Sequence, residues 1–496
     1  MKKPAFQSLW LFTLLLLGAM FLPRLVTQGM FGDGLLYASL ARNLAEGRGS
    51  MWAPFFSSGY FVEFASGNPY FENPPLMIWT QAGFFAMLGD AWWVEKCYAL
   101  LLFVLNAWLL VRIWETPLRG TAFEKKYGWL PLLLWYLMPT VIWGNPNNLM
   151  DNQLLTFCLL ALWCALDGLY SGRNLGLKMT LAGFGVFLAL LTKGPVALYP
   201  VAAPFLFAWV APGLAVPDRR KAFLQSVWIG LVAAGLFVLL LALIPDARTY
   251  FENYWQKRLG VVISGAREDA ALTGWARLSI FGILLKELSV LIAIAAAVYF
   301  GSRKRLSGNA AFPLQKNALL FALIGLCATL PLMASARQSA MYILAGLPVF
   351  ALAAGYYCLP ALDRRLEKAE RFSKILRPVS LAGMLILAVY CGAIFGTPGR
   401  ETALLNALPF IQKSIPEGEK VAVCDELMNN LHAHTYLQRF HRLELNRDFA
   451  GSRYALTERP FAAEARLMLE QYGFEKVINP TDSTGSYYVY IKKSSE

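Results

Sequence analysis

Charge is scarce in this 496-residue sequence: Asp, Glu, Lys and Arg together make up only 16% of it, against roughly a quarter in ordinary soluble domains. With 57% of residues hydrophobic and 14% aromatic, a soluble globular class is excluded. Histidine is nearly missing. The three that occur, His432, His434 and His441, all lie near the C-terminus. No cysteine or acidic residue is spaced to share a metal with the His-x-His pair, so they read as surface histidines. The seven cysteines contain no CxxC pair, which excludes both a disulfide framework and a zinc ribbon. Cys97, Cys158, Cys164, Cys327, Cys358 and Cys391 fall in or beside apolar stretches and read as packing residues. No internal repeat or low-complexity segment is found.

What fills the chain instead is a series of apolar runs, each long enough to span a hydrocarbon core of ~30 Å. The sequence therefore predicts a polytopic α-helical membrane protein. The net charge of +13 does not call for a nucleic-acid partner, because Lys and Arg concentrate in short loops on alternate sides of the runs. That is the positive-inside pattern. Lys2 and Lys3 precede the first run, which lacks a clean small-x-small cleavage site and ends at Pro23-Arg24. It reads as an uncleaved first span with a cytoplasmic N-terminus.

About eleven spans are expected, near 7–23, 95–112, 128–144, 149–170, 178–192, 196–211, 222–244, 278–300, 317–334, 340–359 and 379–396. With that number the basic short loops fall inside, while two long loops (30–76 and 245–277) and the tail fall outside. In the first long loop, Leu36, Leu40 and Leu44 recur at helical spacing while Arg42, Asn43 and Glu46 are expected to face away. That describes an amphipathic helix ended by Gly47 and suited to the membrane interface. A second apolar helix, 76–89, follows Pro74-Pro75 and is too short to span. Residues 398–496 are polar and alternate strand-like with helix-like runs. Strands are predicted at 420–424, 442–445 and 487–491, and helices at 400–414, 425–437 and 460–472. The chain thus divides into a membrane domain, 1–397, and a small soluble α/β domain, 398–496.

Three carboxylates stand at outer helix starts. Asp33 precedes a Leu-rich helix, Glu72 stands just before Asn73-Pro74-Pro75, and Asp151 opens the fourth span. Each has an ordinary explanation. Asp33 can cap a helix, and the other two can favour a helix N-terminus through its dipole. Asp33 is equally placed to act as a general base on a hydroxyl. Acidic side chains beside the apolar zone are costly without a function, and three of them around one aromatic loop point to chemistry. Lys193, at the outer end of span five, suits a helix C-terminus or can snorkel; it can also clamp a phosphate. The second outer loop adds Lys257, Arg258 and Arg267 among Tyr250, Tyr254 and Trp255, and the turn before span ten adds Arg337 and Tyr342. Cations gathered outside oppose the orienting trend, and an anionic ligand accounts for them.

The order of these features resembles the lipid-phosphate-sugar-dependent glycosyltransferases of the GT-C class, in particular the aminoarabinose transferase and protein O-mannosyltransferase-like groups. The matching stretches are Asp33 with Tyr37-Ala38, Tyr70 to Leu76, Met150-Asp151, Leu191 to Pro195, and Tyr342-Ile343-Leu344 with Pro348. They cover about residues 1–355. The chain departs from the pattern at Gly34 after Asp33, at Asn73 after Glu72, and in having no His before Arg258.

The resemblance implies a GT-C-like fold and transfer of a sugar from a polyprenyl-phosphate donor to a glycolipid such as lipid A, a glycan or a protein. Asp33, Asp151 and Glu72 would then be the catalytic carboxylates. Lys193, Arg258, Arg337, Tyr342 and Lys257 would hold the donor phosphate. It further implies a bacterial inner membrane, a periplasmic active site and a periplasmic C-terminal domain; no cofactor is assigned and a divalent metal stays open. A transporter or lipid flippase is the rival reading, against which no paired half-repeats appear. A membrane scaffold whose tail binds a partner is a weaker third.

Overall fold

The computed structural model describes residues 3–58, 69–210, 218–263, 274–302, 311–335, 338–366, 370–458, 463–477 and 487–493. Arg267 and Arg337, and the 59–68 part of the aromatic first loop, lie outside them. The protein is a polytopic α-helical membrane protein with a C-terminal α/β domain, as the composition predicts. Among the described residues eight helices are long and apolar enough to cross a bilayer: Gln7–Val26, Val94–Leu118, Met150–Ser171, Leu175–Val210, Arg219–Leu243, Trp275–Gly301, Pro313–Ala334 and Lys374–Ala393.

The difference from eleven has local causes. The expected span 128–144 is broken into helices Trp129–Tyr136 and Pro139–Gly144. Pro139 has no N–H to give and drives Met138 into an extended conformation. The expected fifth and sixth spans form one helical run, Leu175–Val210, whose middle is the 3-10 stretch Gly194–Ala202. The expected tenth becomes a short 3-10 turn, Ala340–Ile343, followed by helix Leu347–Leu366, whose last turns carry Pro360, Arg364 and Arg365.

The chain divides into two compact units. One comprises Met1–Pro23 and Ala99–Ala393; the other comprises Arg24–Tyr98 and Ile394–Glu496. The larger unit packs its helices through small residues, as membrane helices do in the absence of a hydrophobic drive between them. A Cβ on Gly183 would stand 2.6 Å from Val232, and one on Gly355 would stand 2.8 Å from the Trp114 ring. Trp114 and Tyr356 rings are 4.3 Å apart, and Tyr356 stacks on Phe321 at 5.4 Å.

In the smaller unit a five-stranded sheet runs in the order Glu444–Asn446, Lys420–Ala422, Tyr454–Glu458, Tyr487–Lys492, Phe474–Lys476. The first three strands are parallel and the last two pair antiparallel, with Val421 opposite Leu445 and Tyr454, and Leu456 opposite Val489. Two of these strands, Tyr454–Glu458 and Phe474–Lys476, are too short and too mixed in pattern to be read from sequence. Helices Thr402–Ser414 and Leu431–His441 pack with the sheet around Leu404, Ile411, Tyr436, Leu445 and Val489. The helix expected at 425–437 is split at Asn429-Asn430, where the Asn430 side chain caps Ala433 N–H at 3.1 Å.

Two expectations are corrected here. The Gly32–Ala45 helix is not an amphipathic surface helix: Arg42 is 1% exposed and Asn43 is fully buried. Both are engaged by the rest of this unit, as described below. Two of the three histidines are not surface residues either, while His432 is half-buried. His434 is fully buried with its ring 5.2 Å from Phe56, and His441 is buried with Nε2 against the Ile415 carbonyl at 2.8 Å.

Burial pushes the His434 imidazole down to about 3 from 6.5. The unfolded chain takes up this proton below its own value of 6.5, while the folded chain refuses it until about 3. Stability is therefore full above 6.5 and falls by about 1.4 kcal/mol per pH unit on acidification below it. We expect the thermal midpoint to drop along that limb and His434→Phe to flatten the drop. Identical slopes in the two proteins would refute the assignment.

Candidate functional site

In the larger unit the site grows from a helical hairpin. Helix Met150–Ser171 ends at Gly172, which takes the left-handed conformation (φ 63), and Leu175–Lys193 runs back. Asp151 lies near the start of the first helix and Lys193 at the end of the second. At about 1.5 Å per residue both are close to a full helix length from the turn, so they meet at the same end. Lys193 Nζ is 2.5 Å from Asp151 Oδ2, and 5.4 Å from the Tyr342 ring centre. Asp151 is 2% exposed, whereas the Lys193 side chain keeps 18% of its surface.

Local sequence places Asp151. The Pro139–Gly144 helix begins against the Glu287 carboxylate, which accepts Thr140 N–H at 2.9 Å and Thr140 Oγ1–H at 2.7 Å. An acid on another helix thus satisfies N–H and hydroxyl groups at this helix start. Asn145–Asn147 follow as a 3-10 turn, and Asn148 turns left-handed (φ 51) to deliver Met150-Asp151 into the next helix. Asn152 Nδ2 donates to the Gly144 carbonyl at 3.1 Å, and Asn106 accepts from Thr156 at 2.8 Å. The second carboxylate oxygen of Asp151 and both amide atoms of Asn145 are buried with no hydrogen-bond partner among the described residues. Water or a polyhydroxylated ligand would satisfy them. Asn145, Asn106 and Glu287 were missed by sequence reasoning. Lone polar residues in apolar runs were the only signal.

Gly194 (φ +76) ends the Lys193 helix, and a Cβ there would lie 2.8 Å from the Tyr254 hydroxyl. Tyr254 thereby sets the end of helix Pro245–Tyr254 against the residue after Lys193. One turn further on, the π-turn Trp255–Leu259 carries Lys257, exposed, and Arg258, half-buried. The larger unit therefore brings together Asp151, Lys193 and Tyr342, with Tyr254 beside them. Arg337 lies outside the described residues.

In the smaller unit Asp33 is half-buried in the first turn of helix Gly32–Ala45. It is not the helix cap, which is Phe31 and makes no side-chain capping bond. Glu72 is half-buried in the turn before Pro74-Pro75, which leads into helix Leu76–Leu88, with Tyr70 and Phe71 buried beside it in sequence. Asn73 Nδ2 donates to the Tyr70 hydroxyl at 2.9 Å.

Sequence reasoning also missed the buried charges in this unit, which gather at the far end of the helix that carries Asp33. Arg439, 1% exposed, donates to Asp90 at 2.6 Å and Glu95 at 2.8 Å. Burial pulls its basicity down, but the two carboxylates more than offset this and hold it above the ordinary value. Arg42, whose burial and cationic neighbour Arg439 outweigh Asp90, is lowered to about 9. Arg442 adds contacts to Glu46 at 2.5 Å and Asp90 at 2.8 Å. Among the described residues no group of three or more His, Cys, Asp or Glu side chains is placed to hold a metal ion.

The chain shares its fold, a helical membrane frame with a C-terminal α/β domain, with solved structures. It is similar along its whole length to ArnT from Cupriavidus metallidurans. For the apo state the TM-score is 0.61 at 13% identity, with 97% of both chains covered. For the structure bound to undecaprenyl phosphate it is 0.62 at 14% identity, with 98% of both covered. The archaeal oligosaccharyltransferase AglB from Archaeoglobus fulgidus, solved with an inhibitory peptide and a dolichol-phosphate, matches with a TM-score of 0.51 at 14% identity. It covers 99% of this chain and 75% of that one. No protein-family model matches the sequence, and no curated protein matches it by sequence.

Proposed function

We propose that this protein is a membrane glycosyltransferase that moves a sugar from a polyprenyl-phosphate donor to a hydroxyl on a glycolipid, a glycan or a protein. The observation that carries the reading is the fold match over 98% of both chains to a protein solved with undecaprenyl phosphate bound. The partly exposed cation Lys193, held by Asp151 beside the Tyr342 ring, supports it independently. The proposal includes a bacterial inner membrane with the long loops and the C-terminal domain on the periplasmic side, an orientation that the alternation of basic loops in the sequence supports.

In the step proposed, the acceptor oxygen forms a bond to the anomeric carbon as the bond from that carbon to the phosphate oxygen breaks. The electron pair leaves on the polyprenyl phosphate, and the acceptor proton passes to Asp33. Lys193, Arg258, Lys257 and Arg337 neutralise the charge that develops on the leaving phosphate, with Tyr342 flanking Lys193. Asp151 holds Lys193 in place, and Glu72 orders the turn that carries it. Lipid A is one acceptor within the glycolipid class.

The experiment is transfer of radiolabel from a panel of polyprenyl-phosphate sugars into the lipid, glycan and protein fractions of membranes by the purified protein. Label moving into one fraction from one donor names both substrates. Failure of every donor with folded protein would sink the enzyme reading and favour a flippase, for which movement of labelled polyprenyl phosphate across vesicles is the direct assay.

A further inference from the structure

We propose that the C-terminal domain is a positioning element of the transfer reaction, in which the Leu431–His441 helix clamps the Gly32–Ala45 helix at both ends and so fixes the carboxylate of Asp33. This rests on the assignment of Asp33 as the base. All the residues involved belong to the smaller compact unit.

At the first end, the backbone leading to Asp33 is stitched to C-terminal residues. Gln28 N–H donates to the Thr397 carbonyl at 2.8 Å, and Gly399 N–H donates to the Gln28 carbonyl at 3.0 Å. The buried Tyr436 hydroxyl accepts Met30 N–H at 3.0 Å and donates to the Met30 carbonyl at 2.9 Å, three residues before Asp33. The approach is so close that a Cβ on Gly29 (φ +82) would lie 2.6 Å from that hydroxyl. Phe31 is held between the Arg400 guanidinium, 5.3 Å from its ring centre, and the His432 ring at 5.4 Å.

At the second end, Arg42 donates to the backbone carbonyls of Gln438 at 3.2 Å and Arg439 at 2.9 Å. Its other amino group reaches Gln438 Oε1 at 2.5 Å and Asn43 Oδ1 at 2.9 Å. Asn43 in turn donates to the Phe55 and Phe56 carbonyls.

Asp33 therefore sits on a helix whose leading backbone is held at Met30 and which is held again at Arg42, about 14 Å of helix beyond Asp33. Apolar contacts alone would dock the two helices as firmly, but they would let one slide along the other. Hydrogen bonds from Tyr436 and Arg42 set a single register. Register matters because displacing a reacting group by about 1 Å costs on the order of a hundredfold in rate. Tyr436 and Arg42 are positioning residues, not catalytic ones.

The test uses the full-length protein and the donor and acceptor found by the label-transfer panel. Wild type, Tyr436→Phe, Arg42→Lys and Asp33→Asn are compared for kcat, KM for donor, thermal midpoint and amide exchange over residues 28–41. Tyr436→Phe keeps the ring packing and removes the hydroxyl. We expect its kcat to fall about tenfold to a hundredfold with donor KM within about twofold. The midpoint should move by only a few degrees, while exchange near Met30 to Leu36 quickens. Arg42→Lys should show the same pattern, with faster exchange toward Asn43. Wild-type kcat in both variants beside an inactive Asp33→Asn would overturn this proposal and leave the base assignment standing. Full turnover by Asp33→Asn would overturn the base assignment and the proposal with it. Unchanged exchange in both variants would overturn the clamp whatever Asp33 does.

Discussion

Asp33→Asn is expected to cut transfer by roughly a hundredfold to ten-thousandfold, the usual worth of a positioned general base. The substitution keeps size and shape in the first turn of the Gly32–Ala45 helix. It does not break a cap either, since Asp33 is not the capping residue. What it removes is the ability to take a proton from the acceptor hydroxyl. The loss should therefore appear in kcat, with donor KM and thermal midpoint close to wild type. Asp33→Glu retains the base but advances it by a methylene, and should recover only part of the rate. Wild-type turnover by Asp33→Asn would mean that the proton leaves by another route and that Asp33 only charges the helix start.

The second large effect is at Lys193, where two consequences must be separated. Lys193→Met removes the ammonium proposed to meet the donor phosphate, and kcat/KM should fall by about a hundredfold or more. It also strands Asp151, 2% exposed, as a buried carboxylate without its cation. Breaking such a pair from one side costs about 3–5 kcal/mol, so the variant should melt early.

The double variant Asp151→Asn/Lys193→Met resolves the two. Replacing both charges by neutral groups is often nearly neutral for stability, so the midpoint should return to within a few degrees of wild type. Transfer should not return. A double variant that regained both stability and turnover would show that the pair only holds two helices together.

The apolar runs, the alternation of basic loops and the polar tail were legible because each rests on composition over about twenty residues or more. The helix breaks at Pro139 and Gly194 follow from local backbone rules, but their effect on the span count does not. Asp151 and Lys193 were legible one at a time, as charges at helix ends. Their 2.5 Å contact depends on two helices of nearly equal length folding back at Gly172. The short strands Tyr454–Glu458 and Phe474–Lys476 were hidden, since three to five residues carry little periodicity.

Arg42 shows most clearly where reading a helix by itself stops. On the isolated 32–45 segment it falls on the polar face, and water is the natural partner for a guanidinium. In the folded unit a helix some 390 residues later supplies two carbonyls and an amide oxygen instead. His434 was misjudged for the same reason, because nothing near it in the chain announces burial. The sequence alone determined that the chain spans a membrane many times and ends in an α/β domain, since transfer of side chains from water is a sum over local residues. Only the tertiary structure decided which charges are buried together and which helix holds Asp33. Those contacts pair groups hundreds of residues apart, where no local pattern reaches.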